Sequence, residues 1–341
     1  MAITLRDVAE RANVSPSTVS RILNKKNSKI PISEATRQRV LKAAQEVGYK
    51  PNIAARHLAQ QQSFSLVGVI VPQTETGVLL HPFFMMVLHG VALYCQQNEY
   101  AVTIYFVDID NESMVDELYP RITSIPADGF IITTTNTNDQ LSPRFMQDQI
   151  PCAHIGRLPQ PVPWMQHFVD ANNYEGAKLA IAHLLERGHQ KIATITSPLT
   201  MAAGVERLQA YHDTMAQAGL PAHEQWIYRG DFEPESGYEA AQQFLSCEDP
   251  PTAVFAASDS MATGFIQAVQ ERGLRVPEDI AVVGFDDNPE SANFSPPLTT
   301  IRQPVSKLGE TAASLLLQLI NDPTPPQNII LQPELIIRDS S

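Results

Sequence analysis

From Phe64 onward the chain alternates short apolar runs with stretches of helical period, and this alternation limits the available folds more than any other feature. Apolar, β-branched runs predict strands over 64–71, 101–107, 129–133 and 152–155, then over 191–196, 225–228, 253–257 and 280–285, with a last one at 335–338. Among the helices between them, 174–187 sets Ala177, Ala180, Ile181, Leu184 and Leu185 on one side and stops at Gly188. Another, 305–320, repeats Val305, Leu308, Ala312, Leu315 and Leu319 at intervals of three and four. Regular β–α alternation implies α/β architecture, with parallel sheets covered by helices on both faces. A break near Phe168–Asn172 and a return near Thr299–Pro304 divide the pattern into two lobes. One is expected at about 63–167 plus 304–330, the other at about 168–303 plus 331–338.

The first sixty residues have a different character. They carry eleven Lys and Arg against four acidic residues, a surplus of seven, so the rest of a chain of net charge −13 carries −20. A basic head on an acidic body suits a protein that meets phosphates with one end only. Thr4 through Asp7 reads as a capping box opening a helix with Leu5, Val8, Ala9 and Ala12 on one face. Asn13 tolerates the left-handed turn that follows, and Ser15-Pro16 starts a second helix burying Val19, Ile22 and Leu23. Ser33 caps a third helix with Val40, Leu41, Ala44 and Val47 as its apolar stripe, ended by Gly48. Three short helices with a tight first turn form a helix-turn-helix unit, whose second helix enters the major groove. Ser17, Thr18 and Arg21 suit contact with bases and phosphates, Arg by gripping guanine bidentately. A solvated polar face on an unrelated bundle is the competing reading.

The run Thr4-Leu5-Arg6-Asp7-Val8-Ala9-Glu10, followed by Val14-Ser15-Pro16-Ser17-Thr18-Val19-Ser20-Arg21-Ile22-Leu23-Asn24, resembles the LacI/GalR family of repressors. So do Gly48-Tyr49-Lys50-Pro51-Asn52, Ala54-Ala55-Arg56-His57-Leu58-Ala59, Val283-Gly284-Phe285-Asp286-Asp287 and Pro296-Pro297-Leu298-Thr299-Thr300-Ile301-Arg302-Gln303-Pro304, so the resemblance spans essentially the whole chain. It implies a headpiece (1–50), a hinge helix and linker (51–62), and a two-lobed effector-binding and dimerisation domain of periplasmic-binding-protein-like fold (63–341). The DNA contacts expected on this basis are Thr4, Ser15, Ser17, Thr18, Arg21, Asn24, Asn52, Ala55 and Leu58. Leu58, one from each subunit, would wedge into the minor groove at the centre of a pseudo-palindromic operator. A contact at a domain interface is the other reading of Leu58.

Ligands of open parallel sheets gather at the carboxyl ends of the strands. Asp286 follows a strand directly and offers a carboxylate to hydroxyl protons, with an Asx-turn or helix cap as the alternative. The resemblance places an effector-binding aspartate there. Arg207 opens a segment similar to the family's Arg-Leu-x-Gly-aromatic, with Ala210 in place of glycine; a surface salt bridge is its alternative. Ser258 (beside a structural Asp259), Phe232 as an aromatic wall or core residue, and His81 and Phe83 in a segment resembling the family's Asn-Pro-Phe-Phe complete the stronger set, with Arg157 and Gln303 as weaker members.

No GxSxG, GxGxxG, Walker A or HExxH motif occurs, so no enzymatic activity and no cofactor are expected. His183 and His189 lie on different helix faces across Gly188, which argues against a metal pair, and Cys95, Cys152 and Cys247 are read as buried fillers. Neither a signal peptide nor an apolar run of spanning length is present, so a cytoplasmic protein without membrane partners is expected. The reading is thus a homodimeric regulator of operator DNA, a repressor controlled by a small-molecule effector, expected to be a sugar. The absence of a heptad tail before Ser341 argues for a dimer over a tail-linked tetramer. A solute-binding protein and a cytosolic sugar enzyme on the same fold are the alternatives.

Overall fold

A computed structural model describes residues 4–23, 32–49, 64–73, 81–322 and 325–341. The chain forms two compact units, 1–64 and 65–341. In the first, α1 (Leu5–Ala12), α2 (Pro16–Leu23) and α3 (Glu34–Val47) enclose a core of Val8, Ala9, Ala12, Val19, Ile22, Val40, Ala43 and Ala44. Asp7 accepts hydrogen bonds from both the backbone N–H and the hydroxyl of Thr4, at 2.7 and 2.9 Å. Asn13 takes the left-handed conformation (φ 51°), as does Gly48 after α3 (φ 69°), and Ser33 Oγ caps Thr36 N. Leu41 is the exception to the expected stripe: it is exposed, and Ala43 is buried in its place.

The second unit contains two six-stranded sheets. The first is built from β1 (Leu66–Pro72), β2 (Ala101–Val107), β3 (Gly129–Ile132), β4 (Cys152–Ile155), β5 (His167–Ala171) and β11 (Gln327–Leu331). Their order is β11-β5-β4-β3-β1-β2, and every pairing is parallel. The second comprises β6 (Ile192–Thr196), β7 (Ile227–Arg229), β8 (Ala253–Ala256), β9 (Ala281–Asp286), β10 (Thr299–Arg302) and β12 (Glu334–Ile336). They run in the order β12-β10-β9-β8-β6-β7, with only β12 antiparallel.

The first sheet carries α4 (Pro82–Gln97), α5 (Glu112–Ser124), α6 (Ser142–Gln147) and α11 (Val305–Asn321); α4 and α11 cross so closely that a Cβ built at Gly309 would collide with the Val87 carbonyl, and one at Gly90 with that of Ser306. Around the second sheet lie α7 (Asn173–Glu186), α8 (Ala202–Gln217), α9 (Pro234–Leu245) and α10 (Asp259–Glu271).

The chain passes between the sheets three times, after β5, after β10 and after β11. The first crossing falls after Ala171, a few residues later than the expected lobe boundary at 168, because β5 pairs with β4 and β11 in the first sheet. Leu331 likewise ends β11 there instead of opening the second lobe. Two crossings are tied together: Asn172 N donates to Leu331 O at 2.8 Å, and Asn172 Nδ2 to Gln332 Oε1 at 3.1 Å. Of the cysteines, Cys95 is buried, whereas Cys152 and Cys247 are only partly so.

Candidate effector site and nucleic-acid interface

In the headpiece, Ser15, Ser17, Thr18 and Arg21 are brought together at the start of α2. Ser15 Oγ accepts from Thr18 N at 3.2 Å and shares hydrogen bonds with Ser17 Oγ and Thr18 Oγ1 at 2.8 and 2.9 Å. Arg21 Nε donates to Ser17 O at 3.3 Å, which fixes the direction of its stem along the same face. Thr4 lies apart from them, at the N-terminus of α1. A helix N-terminus bearing hydroxyls, with an arginine one turn on, suits phosphates and base edges. Asn24, Asn52, Ala55 and Leu58, and the expected hinge helix, lie outside the described residues.

In the larger unit, the carboxyl end of β9 and the N-terminal part of α8 place Asp286 and Arg207 in one buried cluster. Gln303 Nε2 donates to Asp286 Oδ1 at 2.6 Å. Arg207 donates through Nε and Nη2 to Asn173 Oδ1 at 3.1 and 2.8 Å, and through Nη1 to Ala257 O at 2.6 Å. Its guanidinium also covers the Phe285 ring. Burial pushes the Asp286 carboxyl well above the usual carboxylate range, and the nearby Arg207 cation offsets this only in part. Asp286 and Asp287 both have positive φ (128° and 57°), as does Phe232 after β7 (78°). Such conformations cost on the order of 1–3 kcal/mol each and persist where the surroundings enforce them. Asp287 is held by Arg302 at 2.6 Å and Arg338 at 2.5 Å, while Asp259 accepts from Asn288 N, Ser291 Oγ and Thr300 Oγ1, pinning the loop that carries Asp286.

Arg157, after β4, reaches Asp170 at 3.4 Å and pairs with Glu206 of α8, a charged bridge from the first sheet to the second. Backbone contacts reinforce it, Ala202 N to Arg157 O at 3.1 Å and Thr137 N to Thr200 O at 3.2 Å. Asp170 is raised to about 6 by burial, against the pull of Arg157. Ser258 Oγ accepts from Met261 N as the cap of α10. Phe232 packs against the apolar core of the second lobe, in line with its core alternative. His81 and Phe83 form an edge-to-face aromatic group with Phe84 at the start of α4.

Asp170, Asn173 and Glu206 emerge only from the structure. Asp170 sits in the segment read from sequence as a break and Asn173 between it and the expected helix, and nothing in the periodicity of α8 separates Glu206 from an ordinary surface acid. Among the described residues, several buried polar atoms have no hydrogen-bond partner, including His81 Nδ1, Thr134 Oγ1, Thr135 Oγ1, Asp170 Oδ2 and Ser197 Oγ. All five lie at or just beyond the carboxyl end of a strand, or at the start of the helix that follows. His183 and His189 bond Ser341 Oγ and Thr252 Oγ1, and no group of metal-binding side chains occurs among the described residues.

A helix-turn-helix module followed by a two-sheet α/β unit with a buried polar cluster at its strand ends is the architecture of a ligand-responsive transcriptional regulator. Residues 4–52 match the bacterial regulatory proteins of the lacI family, and residues 181–341 a periplasmic binding protein-like domain. The chain is 35% identical over 340 residues to the HTH-type transcriptional repressor PurR of Aliivibrio salmonicida, covering 99% of this chain and 98% of the relative. It is 36% identical to PurR of Escherichia coli O139:H28, covering 99% and 96%. Among solved structures, the lac repressor dimer bound to operator and the anti-inducer ONPF matches with a TM-score of 0.87 at 30% identity, covering 100% and 99%. The transcriptional regulator CelR–cellobiose complex matches with a TM-score of 0.77 at 32% identity, covering 99% and 100%. The chain belongs to the LacI family of transcriptional regulators.

Proposed function

We propose that this protein is a homodimeric cytoplasmic repressor that binds a pseudo-palindromic operator, and that a sugar held between the two sheets sets its affinity for DNA. The observation that carries the sugar assignment is the set of buried, unpartnered polar atoms at the strand ends, contributed by both sheets. Buried polar groups without partners are costly, and hydroxyls both donate and accept, so a polyol satisfies such a set from either side. The cellobiose complex of a relative supports the same chemistry. A dimer follows from the headpiece, since one recognition helix reads one half-site. Asp286, Arg207, Gln303 and Arg157 form the effector site, with Ser258, His81 and Phe83 at its margins. Ligand occupancy moves the sheets relative to each other, and its effect on DNA follows whichever state binds the sugar more tightly. Catalysis is not part of this function. Among the described residues, no helix is long and apolar enough to cross a membrane.

The test is operator selection from genomic fragments with purified protein, repeated over a panel of sugars and nucleobases. Preference for a fragment over its scrambled sequence, shifted by a sugar, is the expected result. No preference under any condition, or turnover of a sugar lost on Asp286→Ala, overturns the proposal.

A further inference from the structure

Two arginines in a ligand cleft ordinarily suggest an anionic ligand, because a guanidinium fork matches phosphate or carboxylate. Here the positive charge of both is already balanced within the protein. Arg157 has Asp170 on one side and Glu206 on the other. Arg207 commits Nε, Nη1 and Nη2 to Asn173 Oδ1 and Ala257 O, covers its face with Phe285, and lies in the field of Asp286, Asp170, Glu206 and Asp259. Two cations thus face the carboxylates of Asp170 and Glu206, with the acids Asp286 and Asp259 alongside. His81 adds no positive charge, since burial pulls its pKa below the usual value.

We infer that the effector is an uncharged polyol and that phosphorylated sugars are excluded, with Asp170 and Glu206 as the residues that enforce the choice. This rests on the sugar-binding reading above. An incoming phosphate would have to displace a carboxylate from Arg157 and then sit beside the others in a poorly solvated site. Like charges a few ångströms apart in such a medium weaken binding by on the order of 100-fold or more. A neutral hydroxyl, in contrast, donates to Asp170 Oδ2, which accepts no hydrogen bond and meets Arg157 only at 3.4 Å, and so leaves both ion pairs in place.

Both tryptophans of the chain, Trp164 and Trp226, lie in the larger unit, so a change in their fluorescence reports binding to that unit and not anions held by the basic headpiece, and calorimetry of the same titrations registers binding that leaves the emission unchanged. The full chain is titrated, at constant ionic strength, with glucose, cellobiose, glucose 6-phosphate and inorganic phosphate. The phosphates are expected to leave wild-type emission unchanged, while Glu206→Gln and Asp170→Asn each gain binding of glucose 6-phosphate by about tenfold or more. Saturable binding of either phosphate probe by the wild type overturns the inference, as does the lack of any gain in both variants when circular dichroism shows them folded. Rejection of the phosphates together with every neutral sugar tried sinks the sugar reading and leaves the charge exclusion standing.

Discussion

The guanidinium carbon of Arg207 lies 3.7 Å from the centroid of the Phe285 ring, directly beside the strained Asp286. Cation, ring and carboxylate thus share one buried volume, and none can be altered without leaving another uncompensated. Removing one partner from a buried charged cluster is strongly destabilising, because the remaining charge keeps its desolvation cost. Arg207→Ala is therefore expected to lower the stability of the larger unit by about 3 kcal/mol and to abolish the effector response. Arg207→Lys should rescue little, since a point charge cannot serve Asn173 Oδ1 and Ala257 O while lying flat on a ring. Chemical denaturation and effector-dependent operator release check both outcomes.

The DNA-reading face makes a sharper demand. Arg21→Ala should reduce discrimination between operator and scrambled duplex by about 1–3 kcal/mol, the worth of a bidentate contact. Residual binding should remain strongly salt-dependent, as expected for phosphate contacts. Anisotropy titrations at two salt concentrations measure both. Undiminished discrimination would show that Arg21 reads no base.

Asp170 gives a pH signature. Its folded-state pKa, raised to about 6, lies above the ordinary carboxylate value, so the native state holds this proton longer than the unfolded chain does. The larger unit therefore loses stability through this group as pH rises from about 4 to about 6, by about 3 kcal/mol at most. Asp170→Asn cannot lose a proton. The difference in unfolding free energy between variant and wild type should move in the variant's favour between pH 4 and pH 7, and a constant difference would refute the assignment.

Gly309→Ala tests the crossing of α4 and α11. The added methyl meets the Val87 carbonyl, a backbone atom that cannot swing aside, so the helices must separate. Overpacking of this kind costs about 1–3 kcal/mol. A lowered melting temperature with unchanged operator affinity is expected, since the crossing is remote in sequence from the DNA-reading residues.

Much of the architecture was legible in the sequence, for physical reasons. Strands such as Ala101–Val107 and Cys152–Ile155 were placed at their observed bounds because they are apolar runs between helices of clear period. The caps at Ser33 and Gly48 were equally plain, being local chemistry. The strand His167–Ala171 was missed because His167 and Asp170 interrupt its apolar pattern, and Gln327–Leu331 because it is half-exposed at a sheet edge. Asp286 and Arg207 could be named from motifs, but their closeness could not, since it depends on the second lobe bringing together residues some 80 positions apart. Partnership between the lobes, as in Arg157 with Glu206, carries no local signature at all.

The three crossings between the sheets have a mechanical consequence. A single linker would let one lobe swivel freely, whereas three strands of chain at one waist, two of them clasped by Asn172 against Leu331 and Gln332, resist twisting and sliding. A bend is the motion such a joint opposes least, so the two lobes are set to open and close more readily than to rotate past one another.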